Sequence, residues 1–243
     1  MRNFIVILLI LFSSGCATIY NPATRRQEFI LINTSEEVSL GKSIDAQTRK
    51  EYAPYPDAKV QERARRLGEA IARVCERNDL TYHFLVLKSK SDKKEINAFS
   101  TPGGYVYIFK DLMDVATDDE LIGVIGHEVG HIAAKHSVKR LQMAMGYNIL
   151  VSLALSDEGA APIKQMMDIV NNLAALGYSR QDELEADRLA VRYTHNAGYD
   201  LNGLLTFMQK LEDISQDNTP AILNFLRTHP SYEQREQLLT EEI

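Results

Sequence analysis

The sequence predicts an α+β fold that is mostly helical, and three observations support this prediction. Apolar residues recur at helical spacing over residues 57–77 and 118–145. Short runs of β-branched and aromatic residues lie between these helices, at 82–87 and 105–109. The 243 residues are 45% hydrophobic and 25% charged, close to the average for a soluble globular protein. A small sheet packed among helices fits this order of elements.

Composition and charge argue against several classes of protein. The formal net charge is −6 and the basic residues form no long run, which argues against a nucleic-acid-binding protein. The ordinary apolar content argues against intrinsic disorder and against a polytopic membrane protein. Cys16 and Cys75 allow one disulfide at most, so the chain is not a disulfide scaffold.

The first residues have the layout of a secretory signal. A positively charged start precedes nine apolar residues, 4–12, which are too few to cross a membrane. Small residues then run directly into Cys16, as in a bacterial lipobox, although Ser13 stands where leucine is usual. We expect residues 1–15 to be a lipoprotein signal peptide and Cys16 to carry the lipid. Ala17 favours the outer membrane by resemblance to enterobacterial sorting; ordinary cleavage with an unmodified Cys16 is the alternative.

The elements of the mature chain follow in order. Residues 16–35 show little periodicity and are interpreted as a tether, so the domain is expected at 36–243. The helix over 57–77 carries one apolar stripe, beside which Cys75 is expected to be a buried, inert thiol. A strand is expected at 82–87, followed by a strand, turn and strand that end at Phe109.

A candidate metal motif lies on the next predicted helix, which opens with a capping box at 117–120 and runs to about Met145. His127 and His131 are four residues apart, so both imidazoles lie on one face and can reach one metal ion. Glu128 lies about 100° around the helix, where its carboxylate can approach a metal-bound water. The alternative is a coincidental set of polar residues.

A catalytic zinc site needs a third protein ligand. Glu183 is the candidate, and Asp187, one turn later on the same face, is placed to accept a hydrogen bond from a ligand histidine. Both residues could instead be plain helix decoration. We interpret His136 as a surface histidine, because it lies about 140° from the ligand face, and Glu185 as a solvated charge.

The chain resembles the HtpX-like and BepA-like zinc metallopeptidases, the gluzincin group that also contains the CAAX prenyl proteases. The resemblance covers nearly the whole mature chain, without the membrane helices of the first branch or the C-terminal repeats of the second. It rests on these segments: Glu36–Gly41, Asn97–Phe99, Pro102–Gly104, His127–His131, Tyr178–Asp187, Thr228–Pro230 and Arg235. It implies a zincin-like metallopeptidase domain in which a short apolar stretch, 141–155, forms part of a lid.

The resemblance also implies the roles of site residues. One Zn²⁺ would be held by His127, His131 and Glu183, with Glu128 as general base assisting attack by the zinc-bound water and Asp187 as the hydrogen-bond partner of a ligand. The activity expected is that of a zinc endopeptidase that cleaves misfolded or misassembled proteins of the bacterial cell envelope. A chaperone or assembly factor for outer-membrane proteins, with a mainly structural zinc, is the alternative.

Two further parts of the site are expected beside the metal. The strand that begins at Tyr105, or its neighbour at Asn97, could offer an open edge to which a substrate peptide adds. His229 could ligate zinc in a resting state or, once displaced, hydrogen-bond the oxyanion. It could also be only the residue before a final helix that begins at Pro230.

Overall fold

The computed structural model describes residues 18–90, 94–155, 177–216, 220–229 and 232–243. The strands are β1 (Thr18–Asn21), β2 (Arg26–Phe29), β3 (Ala53–Pro54), β4 (His83–Lys88), β5 (Ala98–Thr101) and β6 (Tyr105–Phe109). The helices are α1 (Thr34–Glu51), α2 (Ala58–Val74), α3 (Lys110–Val115), α4 (Asp118–Ala133), α5 (His136–Leu155), α6 (Arg180–Asn196), α7 (Gly203–Gln216), α8 (Leu223–Thr228) and α9 (Tyr232–Glu242). Both the helical character and the sheet between helices agree with the prediction.

Helix α4 is the centre of the fold and is buried from Glu120 to its end. The predicted capping box is present: the Thr117 hydroxyl accepts from the Glu120 amide, and the Glu120 carboxylate accepts from the Thr117 amide. It satisfies two of the amides that a helix N-terminus leaves free. Helices α2, α6 and α7 pack around α4, which explains why it is buried on every side.

The main sheet has the strand order β3-β4-β6-β5. Strands β4 and β6 are parallel, while β5 pairs antiparallel with β6. Because side chains alternate between the two faces of a strand, Val106 and Ile108 enter the core with α2 and α4. Tyr105 and Tyr107 lie on the other face, where the Tyr107 hydroxyl donates to Asp45 of α1 (2.9 Å).

The helix predicted to run to Met145 is interrupted, so that prediction is wrong in its second half. Helix α4 ends at Ala133, and Lys135 adopts a left-handed conformation (φ 55°) before α5 begins. Val138, Leu141 and Met145 of α5 then pack against α1 and the segment before it. In the described chain, no helix combines the length and the apolar character needed to span a bilayer.

The segment predicted as a tether folds from Thr18 onward. Strands β1 and β2 form an antiparallel hairpin, and Ile30 and Ile32 after it are buried in a second, smaller core. The Asn21 side chain donates to the Ala133 carbonyl at the end of α4 (3.0 Å). The tether interpretation is therefore wrong for 18–33, where apolar and hydrogen-bonding contacts hold the chain on the domain. The predicted signal peptide at 1–15 and the lipidation site Cys16 lie outside the described residues.

Candidate metal centre

Three elements bring four metal-binding side chains together. Helix α4 supplies His127 and His131, α6 supplies Glu183, and the residue after α8 is His229. One ligand atom from each lies within 4.8 Å of all the others, and all four residues are buried. The predicted spacing of the two histidines accounts for the first pair, whose Nε2 atoms are 3.0 Å apart.

Glu183 and His229 complete this cluster. The Glu183 carboxylate oxygens lie 3.4 Å from His131 Nε2 and 3.5 Å from His127 Nε2. His229 Nδ1 lies 3.2 Å from His127 Nε2 and 3.2 Å from each Glu183 oxygen. Imidazole nitrogens and a carboxylate at these separations are a donor set that zinc takes in proteins. The residues present therefore fit a zinc ion.

The electrostatics of the cluster also suit a cation. Burial raises the pKa of Glu183, but the charges of His229 and Arg235 and hydrogen bonds from the histidines outweigh it and hold the carboxylate ionised. Burial lowers the pKa of His131 and keeps that ring neutral. For His127, burial and the charge of Arg235 lower the pKa, but hydrogen bonds with Asp187 and Glu183 raise it by a larger amount. The net result is a pKa of about 9. A metal ligand must be deprotonated, so a bound cation replaces that proton.

Glu128 lies beside the cluster without joining it. Its side chain is fully buried, and neither carboxylate oxygen has a hydrogen-bond partner among the described residues. His229 Nε2 is 3.4 Å from Glu128 Oε1. Among the described residues this buried carboxylate has one ion-pair contact and no hydrogen bond, which is costly for the fold, so its position points to a role in chemistry.

Asp187 and Arg235 hold the metal-binding side chains in place from behind. His127 Nδ1 lies 2.8 Å from Asp187 Oδ1, the contact expected from the spacing on α6. Arg235 of α9, which is buried, donates to both Asp187 oxygens (2.7 and 2.8 Å) and lies 3.0 Å from Glu183 Oε2. Such partners set the tautomer and orientation of a ligand.

Comparison with known proteins identifies the fold and its site. The model of peptidase family M48 matches residues 58–243, which include every residue of the cluster. The chain belongs to peptidase family M48. The metallopeptidase resemblance seen in the sequence is thereby confirmed, as is zinc as the metal of this M48 site.

Several relatives carry names from this family. The chain is 31% identical over 147 residues to "Metalloprotease LoiP" of Escherichia coli, covering 59% of this chain and 57% of that protein. It is 29% identical over 202 residues to "Mitochondrial metalloendopeptidase OMA1" of Arabidopsis thaliana, covering 81% and 39%. The "Beta-barrel assembly-enhancing protease" of Escherichia coli is 24% identical over 218 residues, covering 84% and 43%.

The chain thus spans 57% and 39% of the first two of these M48 relatives. Among solved structures, Ste24p of S. mikatae aligns with a TM-score of 0.48 and 16% identity, covering 84% of this chain and 55% of that one.

Two residues beside the cluster were not assigned to the site from the sequence. His136, expected on the surface, is 1% exposed, and its Nδ1 lies 2.9 Å from His131 Nδ1. The break at Ala134–Lys135 turns it toward the site, which a continuous helix would not do. Tyr178 stacks on the His131 ring, with centroids 3.8 Å apart. Glu185, expected to be solvated, is half-buried and bonded to Arg26 and His136.

The structure distinguishes the two candidate substrate-binding residues. Strand β6 pairs on both sides, and Tyr105 lies on the face turned from α4, so β6 offers no free edge. Strand β5 is one of the two outer strands of the described sheet, the other being β3. The Asn97 carbonyl accepts from the Phe109 amide, so in an antiparallel ladder the backbone groups of Ala98 and Ser100 point away from β6. Cys75 is buried, as expected, and burial raises the pKa of its thiol.

Proposed function

We propose that this chain is a zinc-dependent endopeptidase of the bacterial cell envelope that cleaves misfolded or misassembled proteins. The observation that carries the proposal is the buried cluster of His127, His131, Glu183 and His229, with the Glu128 carboxylate beside it, which has no hydrogen-bond partner among the described residues. Membership of family M48 and relatives named as metalloproteases support it.

Three residues, His127, His131 and Glu183, would hold the zinc and leave one coordination position for the reaction. When bound, zinc supplies Lewis acidity at the scissile carbonyl and lowers the pKa of water. Asp187 accepts from His127 Nδ1 and so leaves His127 Nε2 free to face the cluster. Arg235 compensates the two buried carboxylates of α6 with its own charge.

Glu128 acts as general acid and base in this proposal. Its carboxylate oxygens make no hydrogen bond within the described part of the chain, so they are available to accept a proton from the attacking water and to pass it to the departing amine. His229 in its present position occupies the fourth donor position. If it moves away, its ring can donate a hydrogen bond to the developing oxyanion.

The substrate would bind as an extended peptide. Ala98 and Ser100 on β5 are 0% and 9% exposed, so their outward backbone groups would pair with an added strand once this edge is uncovered. Such pairing gives affinity without demanding a particular sequence. Asn97 at the start of β5 is buried, and its Oδ1 has no partner within the described part of the chain. Such tolerance suits polypeptides that expose extended segments because they are misfolded.

We further propose an envelope location. A lipid on Cys16, after cleavage of residues 1–15, would hold the protein on the periplasmic face of a membrane, with the outer membrane favoured. The acyl chains on this residue would anchor the protein stably to the membrane, so attachment would not require a spanning helix. No part of the proposal involves nucleic acid.

The alternative is an assembly factor whose zinc is mainly structural. The four converging donors favour it, since structural zinc sites are closed by four protein ligands. The Glu128 carboxylate argues against it, because a structural site needs no base.

Metal analysis combined with proteolysis of casein and of envelope protein decides between the two. Glu128→Gln is expected to keep about one zinc per chain and to lose on the order of 10²–10⁴ in activity. Glu212→Gln, on the exposed face of α7, is the matched control and should cleave like the wild type. Full activity in Glu128→Gln contradicts the proposal, and intact assembly function in cells carrying it supports the alternative.

A further inference from the structure

The Nδ1 atom of His131, which points away from the cluster, has a hydrogen-bond partner of its own. This partner differs from the one that His127 has. His131 Nε2 faces the cluster, whereas its Nδ1 lies 2.9 Å from His136 Nδ1. On the far side, His136 Nε2 lies 3.2 Å from Glu185 Oε2. Arg26 Nη2 then donates to both Glu185 oxygens, at 2.6 and 2.7 Å.

We propose that His136, Glu185 and Arg26 act as positioning residues that hold His131 in its metal-binding orientation, and that the N-terminal hairpin is thereby part of the metal centre. The inference rests on the proposed zinc function and deepens it. It assigns to the hairpin a task that lies outside residues 58–243, the part matched by the family.

The direction of each hydrogen bond follows from the ligand atom. If His131 binds metal through Nε2, its neutral ring carries the proton on Nδ1 and donates it to His136 Nδ1. A neutral His136 then carries its own proton on Nε2 and donates it to Glu185. Two carboxylates face His136 Nε2, Glu185 Oε2 at 3.2 Å and Asp182 Oδ1 at 3.5 Å, and both require a proton on Nε2, so both rings are fixed in one tautomer.

The series of hydrogen bonds that starts at His131 ends on the N-terminal hairpin. This hairpin is itself anchored beside α4. Asn21 donates to the Ala133 carbonyl and to Glu28, and Lys139 of α5 donates to Glu28 (2.7 Å). These contacts hold the hairpin across the break between α4 and α5, from which His136 projects. Arg26 therefore approaches Glu185 from a fixed platform, although its own side chain is 52% exposed.

Loss of His136 would remove the acceptor of the His131 Nδ1 proton, and the ring would then be positioned by the Tyr178 stack and by its contacts with His127 and Glu183. Outer-layer partners of metal-binding histidines typically account for 10–100-fold in metal affinity. We therefore expect His136→Leu to weaken zinc binding by roughly 10–100-fold. Arg26→Gln should weaken it by less, because Glu185 remains in contact with His136.

The test is the zinc dissociation constant of the purified mature protein, measured by competition with a chromophoric chelator. His136→Asn is the conservative variant, since its amide oxygen can take the place of Nδ1, and it should recover much of the affinity lost in His136→Leu. Arg188→Gln, which breaks an exposed ion pair between α6 and α9, is the matched control for Arg26→Gln and should bind zinc like the wild type.

Thermal unfolding with chelator and with zinc separates positioning from general stability. A positioning role predicts that His136→Leu and Arg26→Gln reduce the stabilisation gained from zinc. Equal zinc affinity in His136→Leu, Arg26→Gln and the wild type would overturn the inference and leave the proposed function standing. A wild type that binds no zinc would overturn both. Because Arg26 is exposed, its variant tests the inference even if His136→Leu fails to fold.

Discussion

At the scale of single residues, His229 is the one whose interpretation changes most once its position in the structure is known. The sequence allows a zinc latch, an oxyanion donor or a plain helix-end residue. The structure places His229 Nδ1 among the donor atoms, 3.2 Å from His127 Nε2, as a latch requires. His229→Ala is expected to open the fourth position and to raise basal casein cleavage and self-cleavage, measured with purified zinc-loaded protein.

His195→Ala, on the exposed end of α6, is the control and should leave both rates unchanged. A fall in turnover of roughly 10²–10³ in His229→Ala would instead assign the residue as an oxyanion donor. Unaltered cleavage and zinc content would contradict both roles and leave a residue that only ends helix α8.

Site residues that share a helix were predictable, because their geometry is local. The four-residue spacing alone brings His127 next to His131, and the same spacing puts Glu183 and Asp187 on one face of α6. Arg235 reaches this site from α9, and no periodicity records that approach; only the family resemblance pointed to it. His136 was misplaced since its orientation depends on a left-handed residue, Lys135, where nothing in the apolar pattern signals a break.

At the scale of elements, the packing of α1 on the main sheet depends on the absence of a side chain at Gly41. A Cβ added there would lie 2.1 Å from the Pro102 carbonyl oxygen in the turn between β5 and β6. Alanine favours a helix interior by up to about 1 kcal/mol over glycine. We nevertheless expect Gly41→Ala to lower the free energy of unfolding by about 1–3 kcal/mol, because the clash is with backbone.

Urea denaturation measures this change, and Ser39→Ala on the exposed face of α1 is the control. Ser39→Ala should be neutral or slightly stabilising, since it gains helix propensity without meeting another element. A Gly41→Ala protein as stable as wild type would show that α1 can move away from the turn at no cost.

The order of the central helices and strands was predictable, but their partners were not. Residue patterns located α2, β4 and β6 to within a few residues, whereas β1, β2, α1 and α7 were not predicted. Which strand forms the outer edge depends on pairing between distant segments, so β5 and β6 could not be told apart. The hairpin at 18–29 was missed because its strands are four residues long and its inward face is polar, with Asn21 and Glu28 bonded to the domain.

At the scale of the whole molecule, the proposed attachment to the envelope rests on Cys16, which lies outside the described residues. Acyl chains on this residue would provide the burial that holds the protein on a membrane. Cys16→Ser should therefore move the protein from the membrane to the soluble fraction, whereas Cys75→Ser, at the other cysteine, should not. Mass spectrometry of the native N-terminus checks the cause: an unmodified Cys16, or cleavage at another residue, contradicts lipidation.

The stability of the protein at acid pH tests the ion pairs that connect the surrounding helices to α4. Burial raises the pKa of Asp118, but hydrogen bonds from Arg63 and Arg66 of α2 lower it further, so the net pKa is depressed. In the same way, Lys210 of α7 and the cap at Thr117 depress the pKa of Glu120 against the effect of burial. These ion pairs connect α4 to α2 and to α7.

A carboxylate whose pKa is lower in the folded chain contributes stability above its unfolded pKa, and this stability is lost as the pH falls through the folded value. Unfolded carboxyl groups titrate near 4, so the contribution of Asp118 and Glu120 to the urea midpoint should be steady from about pH 7 to 5 and fall below about 4. Glu120→Gln removes one such group and should make this fall shallower. If Glu120→Gln and the wild type lose stability with the same slope, the pairing of Glu120 with Lys210 does not stabilise the fold.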